Sequence, residues 1–130
     1  MKPPAKSSKP QRQRKPAKGR SVKLYLKDIL SAINKIITWT KGMNFEEFSK
    51  NDILVDAIVR NLEIIGEAAS VLPRNVTSTH SEVQWKQVVG MRDIIAYGYF
   101  KVDLNIIWTT ISENLPKLHP VIEKMISETE

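Results

Sequence analysis

Cysteine is absent from the 130 residues, which removes disulfides and thiolate chemistry together. Histidine is scarce. His80 and His119 stand far apart, with no HExxH or comparable spacing, so the expectation is no protein-built metal site and no cofactor. No apolar run approaches the ~20 residues that a spanning helix needs. The basic N-terminus is not followed by an apolar segment, so the chain reads as having neither a membrane span nor a secretory signal, and as cytoplasmic. Strict period-two alternation is missing, and neither Asn-Gly nor Asp-Gly occurs, which argues against hairpins. No Ser-His-Asp set, glycine-rich phosphate loop or pair of catalytic carboxylates stands out.

Acid is missing from the first twenty residues, which hold eight of the chain's twenty Lys and Arg. The other twelve face all fourteen acids across residues 21–130, a net charge of −2 against +6 for the whole. The opening stretch, MKPPAKSSKPQRQRKPAKGR, has four prolines and no large apolar side chain after Met1. Such a segment cannot bury enough surface to offset its ordering entropy. Residues 1–21 therefore read as a disordered basic tail and residues 22–130 as one helical domain. The tail is either a polyelectrolyte arm for RNA or another polyanion or a solubilising extension.

The body has helical periodicity. Leu26, Ile29, Leu30, Ile33, Ile36 and Ile37 recur at steps of three and four. Ser21 is placed to cap that helix and Gly42 to end it. Ile53, Leu54, Ala57, Ile58, Leu62, Ile65, Ala68, Ala69 and Leu72 form a second stripe, capped by Ser49 or Asn51 and closed before Pro73. RNVTSTHSE reads as a polar loop, with His80 exposed in it. A third segment, VQWKQVVGMRDIIAYGYF from Val83 to Phe100, carries Trp85, Val88, Val89, Met91, Ile94 and Ile95. A fourth starts at Asp103 and is kinked or restarted at Pro116 or Pro120, where His119 decorates a helix start. The fold class is all-α, an antiparallel bundle of four to five helices.

Two stretches invite chemistry. In the second helix Arg60, Glu63 and Glu67 share a face, which reads either as a solvated ion-paired surface or as support for a site. Gly66 beside them costs up to ~1 kcal/mol against alanine, so close approach of another helix is expected. The second stretch is GMRDIIAYGYFKVD, residues 90–103. In a regular helix Tyr99 returns to within ~20° of Arg92, whereas Tyr97 falls ~140° away. A half-buried arginine needs a carboxylate or phosphate partner; periodicity alone leaves a structural salt bridge open.

Taken together, RNLEIIGEAA, then WKQVVGMRDIIAYGYFKVD, then IIWTTISENLPKL resemble the HEPN-domain toxins of HEPN/MNT toxin–antitoxin pairs, the HepT-like ribonucleases, over about residues 22–126. The family signature is Arg, four residues, His, one residue, Tyr. Arg92 and Tyr99 match its ends, and Tyr97 stands where the histidine would be. The resemblance implies a metal-independent RNA endonuclease that works as a homodimer, with Arg92 on the scissile phosphate. It implies a partner as well, a minimal nucleotidyltransferase antitoxin that attaches AMP to Tyr99, as in type VII systems. In the family the histidine is general base or acid for attack by the RNA 2′-hydroxyl. A phenol of ordinary pKa ~10 is well under one per cent ionised at neutral pH. Lowering that pKa by about three units, to neutral pH, would take about 4 kcal/mol. The expectation is a weakened toxin ribonuclease with Arg92 and Tyr97 as catalytic positions. The alternatives are an inactive HEPN module that binds RNA or nucleotide beside a nucleotidyltransferase, and a plain helical dimerisation protein.

Overall fold

The computed structural model describes residues 20–93 and 103–129. Tyr97, Tyr99 and the tail up to residue 19 lie outside the described residues. Among those described, the backbone is helical and no strand occurs.

Helix α1 (Val22–Thr40) begins where the Ser21 side chain accepts the Leu24 amide at 3.2 Å. It ends at Gly42, whose φ of +79° is the left-handed geometry that glycine adopts without strain. A short α2 (Phe45–Ser49) follows, absent from the sequence reading. It is held by a capping box in which Asn44 and Glu47 satisfy each other's amides at 2.8 and 3.0 Å. Helix α3 (Asp52–Ser70) takes Asn51 as its cap, through the Leu54 amide at 3.0 Å.

The polar stretch after Pro73 is not the loop expected. It folds into α4 (Arg74–Thr77) and a 3₁₀ turn at Ser78–His80. The Trp85 indole N–H fastens this unit, donating to the carbonyls of Thr77 and His80, both at 3.1 Å. Helix α5 (Trp85–Gly90) then tightens into a 3₁₀ turn at Met91–Asp93.

After the break in description, Asp103 caps α6 (Leu104–Thr109) through the amides of Asn105 and Ile106. A π-helical stretch at Thr110–Asn114 leads into α7 (Leu115–Glu128). Pro116 has no N–H for the Ser112 carbonyl, and its ring crowds that group. The widened turn is where the ladder absorbs this, with the Leu115 amide reaching back to Thr110. Pro120 is carried inside α7. The expected kink is therefore a change of helical pitch just before Pro116.

The core is aliphatic. Leu26, Ile29, Ile33 and Ile36 of α1 meet Ile58, Leu62 and Ile65 of α3 and Leu115 and Ile122 of α7, all with no solvent exposure. Each such side chain contributes about 1.5–3 kcal/mol on burial. Phe48 stacks at a tilt on Trp108, ring centroids 5.1 Å apart, and ties α2 to α6. Among the described residues no helix is long and apolar enough to cross a membrane.

Candidate functional site

The centre of the site is the contact between α3 and the turn at Met91–Asp93. Gly66 makes it possible. A Cβ added there would lie 2.5 Å from the Arg92 nitrogen and 2.8 Å from both the Arg92 Cβ and the Val89 carbonyl oxygen. Two of those three atoms are backbone, so no side-chain rotation would relieve the clash. The helix accepts glycine's conformational cost because only glycine lets the chain carrying Arg92 lie against it. The close approach expected from the sequence is thus supplied by α5 and its terminal turn.

This contact fixes where Arg92 starts. Its side chain is 30% exposed, and Nη1 stands 3.9 Å from Oε2 of Glu67, which is 52% exposed. At that distance the pair is a loose electrostatic contact. Arg92 therefore has an anionic neighbour that orients it without using up its bidentate donor capacity. A guanidinium so held is available to a phosphate.

The rest of the α3 face divides. Arg60 pairs with Glu63 at 3.6 Å along the helix, with Arg60 mostly in solvent. So Arg60 and Glu63 hold each other, while Glu67 alone of the three has a contact to Arg92. Beside them Asn61 is buried. Its amide donates to the Ala57 carbonyl at 2.9 Å, and Oδ1 has no partner among the described residues. Beside the Arg92 turn, a cleft of about 590 Å³ opens between α5 and the α6–α7 arm, lined among others by Gln87, Met91, Ile106 and Lys117.

The turn also bears on the expected alignment of Arg92 with Tyr99. That angle assumed α-helical pitch from Arg92 onward, whereas Met91–Asp93 is already 3₁₀. Tyr97 and Tyr99 lie beyond the described residues.

Both histidines are more engaged than the sequence suggested. His80 is not exposed. It is 5% exposed, with Nε2 2.9 Å from Glu128 Oε1 and Nδ1 3.6 Å from Glu82 Oε2. The cause is that the polar stretch folds into helical turns and tucks under the end of α7. Sequence reasoning missed this clamp. Trp85, an indole that needs a hydrogen-bond acceptor when buried, was the available signal. His119 sits on α7 with Nε2 2.8 Å from the Asn34 side-chain oxygen of α1, a bond that joins two helices. Among the described residues there is no cluster of three or more His, Cys, Asp or Glu that would hold a metal ion.

The family model described as Ribonuclease HepT-like matches residues 29–125. A candidate RNase of Caldanaerobacter subterraneus is 41% identical over 104 residues, 80% of this chain and 93% of that protein. A protein of Thermococcus cleftensis named probable ribonuclease HepT is 39% identical over 106 residues, 82% of this chain and 96% of its own. A candidate RNase of Methanocaldococcus jannaschii is 37% identical over 111 residues, 85% and 96% of the two chains. No solved structure matches. The matched span covers α3, the Gly66 contact and Arg92, and the chain belongs to the HepT-like ribonuclease family.

Proposed function

We propose that this chain is a HepT-like RNA endonuclease of a type VII toxin–antitoxin pair, with chemistry weakened by a tyrosine at position 97. The seating of Arg92 carries the reading. A half-buried guanidinium is set against α3 by a glycine whose space nothing larger fits, with one loose carboxylate neighbour among the described residues. That is a costly way to place a mere surface ion pair, and a suitable way to present a cation to RNA phosphate.

In this reading the 2′-hydroxyl attacks the neighbouring phosphorus, the bond from phosphorus to the 5′-oxygen breaks, and a proton goes to the leaving oxygen. Arg92 neutralises charge on the non-bridging oxygens. The 2′-hydroxyl proton needs a base, and an imidazole serves where a neutral phenol does not. Tyr97 retains the abilities to donate a proton and to stack on a base. The active form is a homodimer, in which two copies of the Arg92 site line one cleft. The partner is a minimal nucleotidyltransferase that silences the toxin by attaching AMP to Tyr99, adding negative charge and bulk close to Arg92 in sequence. A second reading, an inactive HEPN module that binds RNA or nucleotide beside the same nucleotidyltransferase, is favoured by the same tyrosine.

Purified protein and end-labelled RNA test the reading. The parent chain should cleave slowly or not at all, and Tyr97→His should raise the rate about 10²–10⁴-fold. Robust cleavage by the parent, lost in Arg92→Ala, would remove the claim of weakening. A folded Tyr97→His variant that neither cleaves nor arrests growth would leave a plain helical dimer as the better account. Co-expression with the nucleotidyltransferase should add the mass of AMP to the peptide that holds Tyr99, but not in Tyr99→Phe.

A further inference from the structure

A second surface, remote from the Arg92 turn in its lining, has the character of a nucleic-acid track. An open groove of about 590 Å³ lies between α1 and α7, and no residue of α3, α5 or the Met91–Asp93 turn lines it. Lys27, Asn34, Lys35 and Trp39 line it from α1, over a floor of Leu30 and Ile126. Trp39 is 40% exposed, which leaves its ring accessible to solvent. Among the described residues neither Lys27 nor Lys35 is held in an ion pair.

Asp28 is taken by Arg20 at 2.7 Å, and Glu123 lies 3.5 Å from His119, which also bonds Asn34. Lys35 follows Lys27 by eight residues, about 12 Å along the axis at ~1.5 Å per residue, and Trp39 stands one turn further on. The positive charge is continuous in sequence with the tail, whose eight Lys and Arg precede α1 directly.

We infer that this groove binds single-stranded RNA, with the Lys27 and Lys35 ammonium groups on successive parts of the backbone and the Trp39 indole stacked on a base. Spaced cations in line with one exposed aromatic suit a flexible polyanion that has a π-face at every unit. An acidic protein surface would gain nothing from the ring's face. Recognition is tolerant of sequence, because every base stacks and every nucleotide carries a phosphate. The groove holds the strand while the Arg92 site acts on it. The inference rests on the reading of this protein as RNA-directed.

The test is fluorescence anisotropy of labelled poly-uridine with the full chain across a salt series. Lys27→Ala combined with Lys35→Ala should weaken binding about tenfold or more at low salt. It should also flatten the plot of log affinity against log salt by about 1.4, at ~0.7 per phosphate contact on a single strand. Trp39→Leu should weaken binding about fivefold or more with the salt slope unchanged. All three residues are exposed, so circular dichroism melts should match the parent. Parent-like affinity and slope in the double variant would overturn the groove while leaving the function intact. A parent chain that binds no RNA overturns both. Lysine-dependent binding without cleavage by Tyr97→His keeps the groove and sinks the ribonuclease reading. Displacement by poly-glutamate as effective, per charge, as by unlabelled poly-uridine would assign the groove to an acidic protein and overturn the RNA claim.

Discussion

Helices α1 and α3 are the same length, 19 residues, and pack on each other, yet they are built to different ends. α1 buries five residues on one stripe and turns Lys27, Ser31 and Lys35 to solvent. α3 buries ten, among them Gly66, Ala68, Ala69 and Ser70. Its small residues let a second neighbour approach, and it is held between α1 on one side and the Arg92 turn on another. Its remaining surface is mainly acidic, with Asp52, Asp56, Glu63 and Glu67 against Arg60. A one-sided helix tolerates change on its open face. A two-sided helix has less freedom and, here, holds Arg92, the arginine proposed to meet phosphate. The contrast predicts how each responds to substitution.

The largest loss expected is at Arg92. In a Tyr97→His background that cleaves RNA, Arg92→Ala should lower the rate about 10²–10³-fold, the usual loss of one preorganised group that stabilises charge in a transition state. Single-turnover kinetics would show it. A change under tenfold would mean that the α3-seated guanidinium is structural after all, and the two helices would then differ only in packing.

Next in size is a pair of changes to alanine with opposite signs. Propensity alone says Gly66→Ala stabilises by up to ~1 kcal/mol. The clash with the Arg92 backbone reverses that, and the net expectation is a loss of about 1–3 kcal/mol in urea unfolding. Ser31→Ala on the open face of α1 should gain a few tenths of a kcal/mol, since alanine is the better helix former and nothing is crowded. If both variants gain stability, α3 is not sandwiched as described.

That sandwich was legible in the sequence, because glycine in the middle of an apolar-periodic helix has few explanations. The cap at Ser21 was legible too, and Asn51 was one of two candidates beside Ser49, since each is a short polar side chain just before a helical stripe; Asp103 was read as the first residue of its helix and is instead its cap. Burial of His80 was not. Its partner Glu128 lies 48 residues away, and no local pattern encodes a contact at that separation. The tightening of α5 into a 3₁₀ turn was hidden as well. It follows from packing against Gly66, while the local sequence VVGMRDII reads as plain helix. The motif arginine could be placed on a helix from sequence, but its seat against α3 required the fold. The α1 groove went unnoticed for a related reason. Lys27, Lys35 and Trp39 look like ordinary solvated positions until α7 supplies the other wall.

The smallest effect is the most discriminating, because it separates support from stability on the α3 face. Glu67 lies 3.9 Å from Arg92 and is half exposed, whereas Arg60 among the described residues pairs only along its own helix with Glu63. Exposed pairs of this kind are worth 0–1 kcal/mol, so Glu67→Gln and Arg60→Ala should each change unfolding free energy by less than about 0.5 kcal/mol. Their effects on cleavage by the Tyr97→His background should differ. Arg60→Ala should leave the rate as it was, since nothing it touches reaches the site. Glu67→Gln keeps the size of the side chain and removes the charge that draws Arg92 into place, so the rate should fall a few-fold while stability stays level. Equal rates in the two variants would show that Gly66 alone positions Arg92, and that the acidic face of α3 has no part in the site.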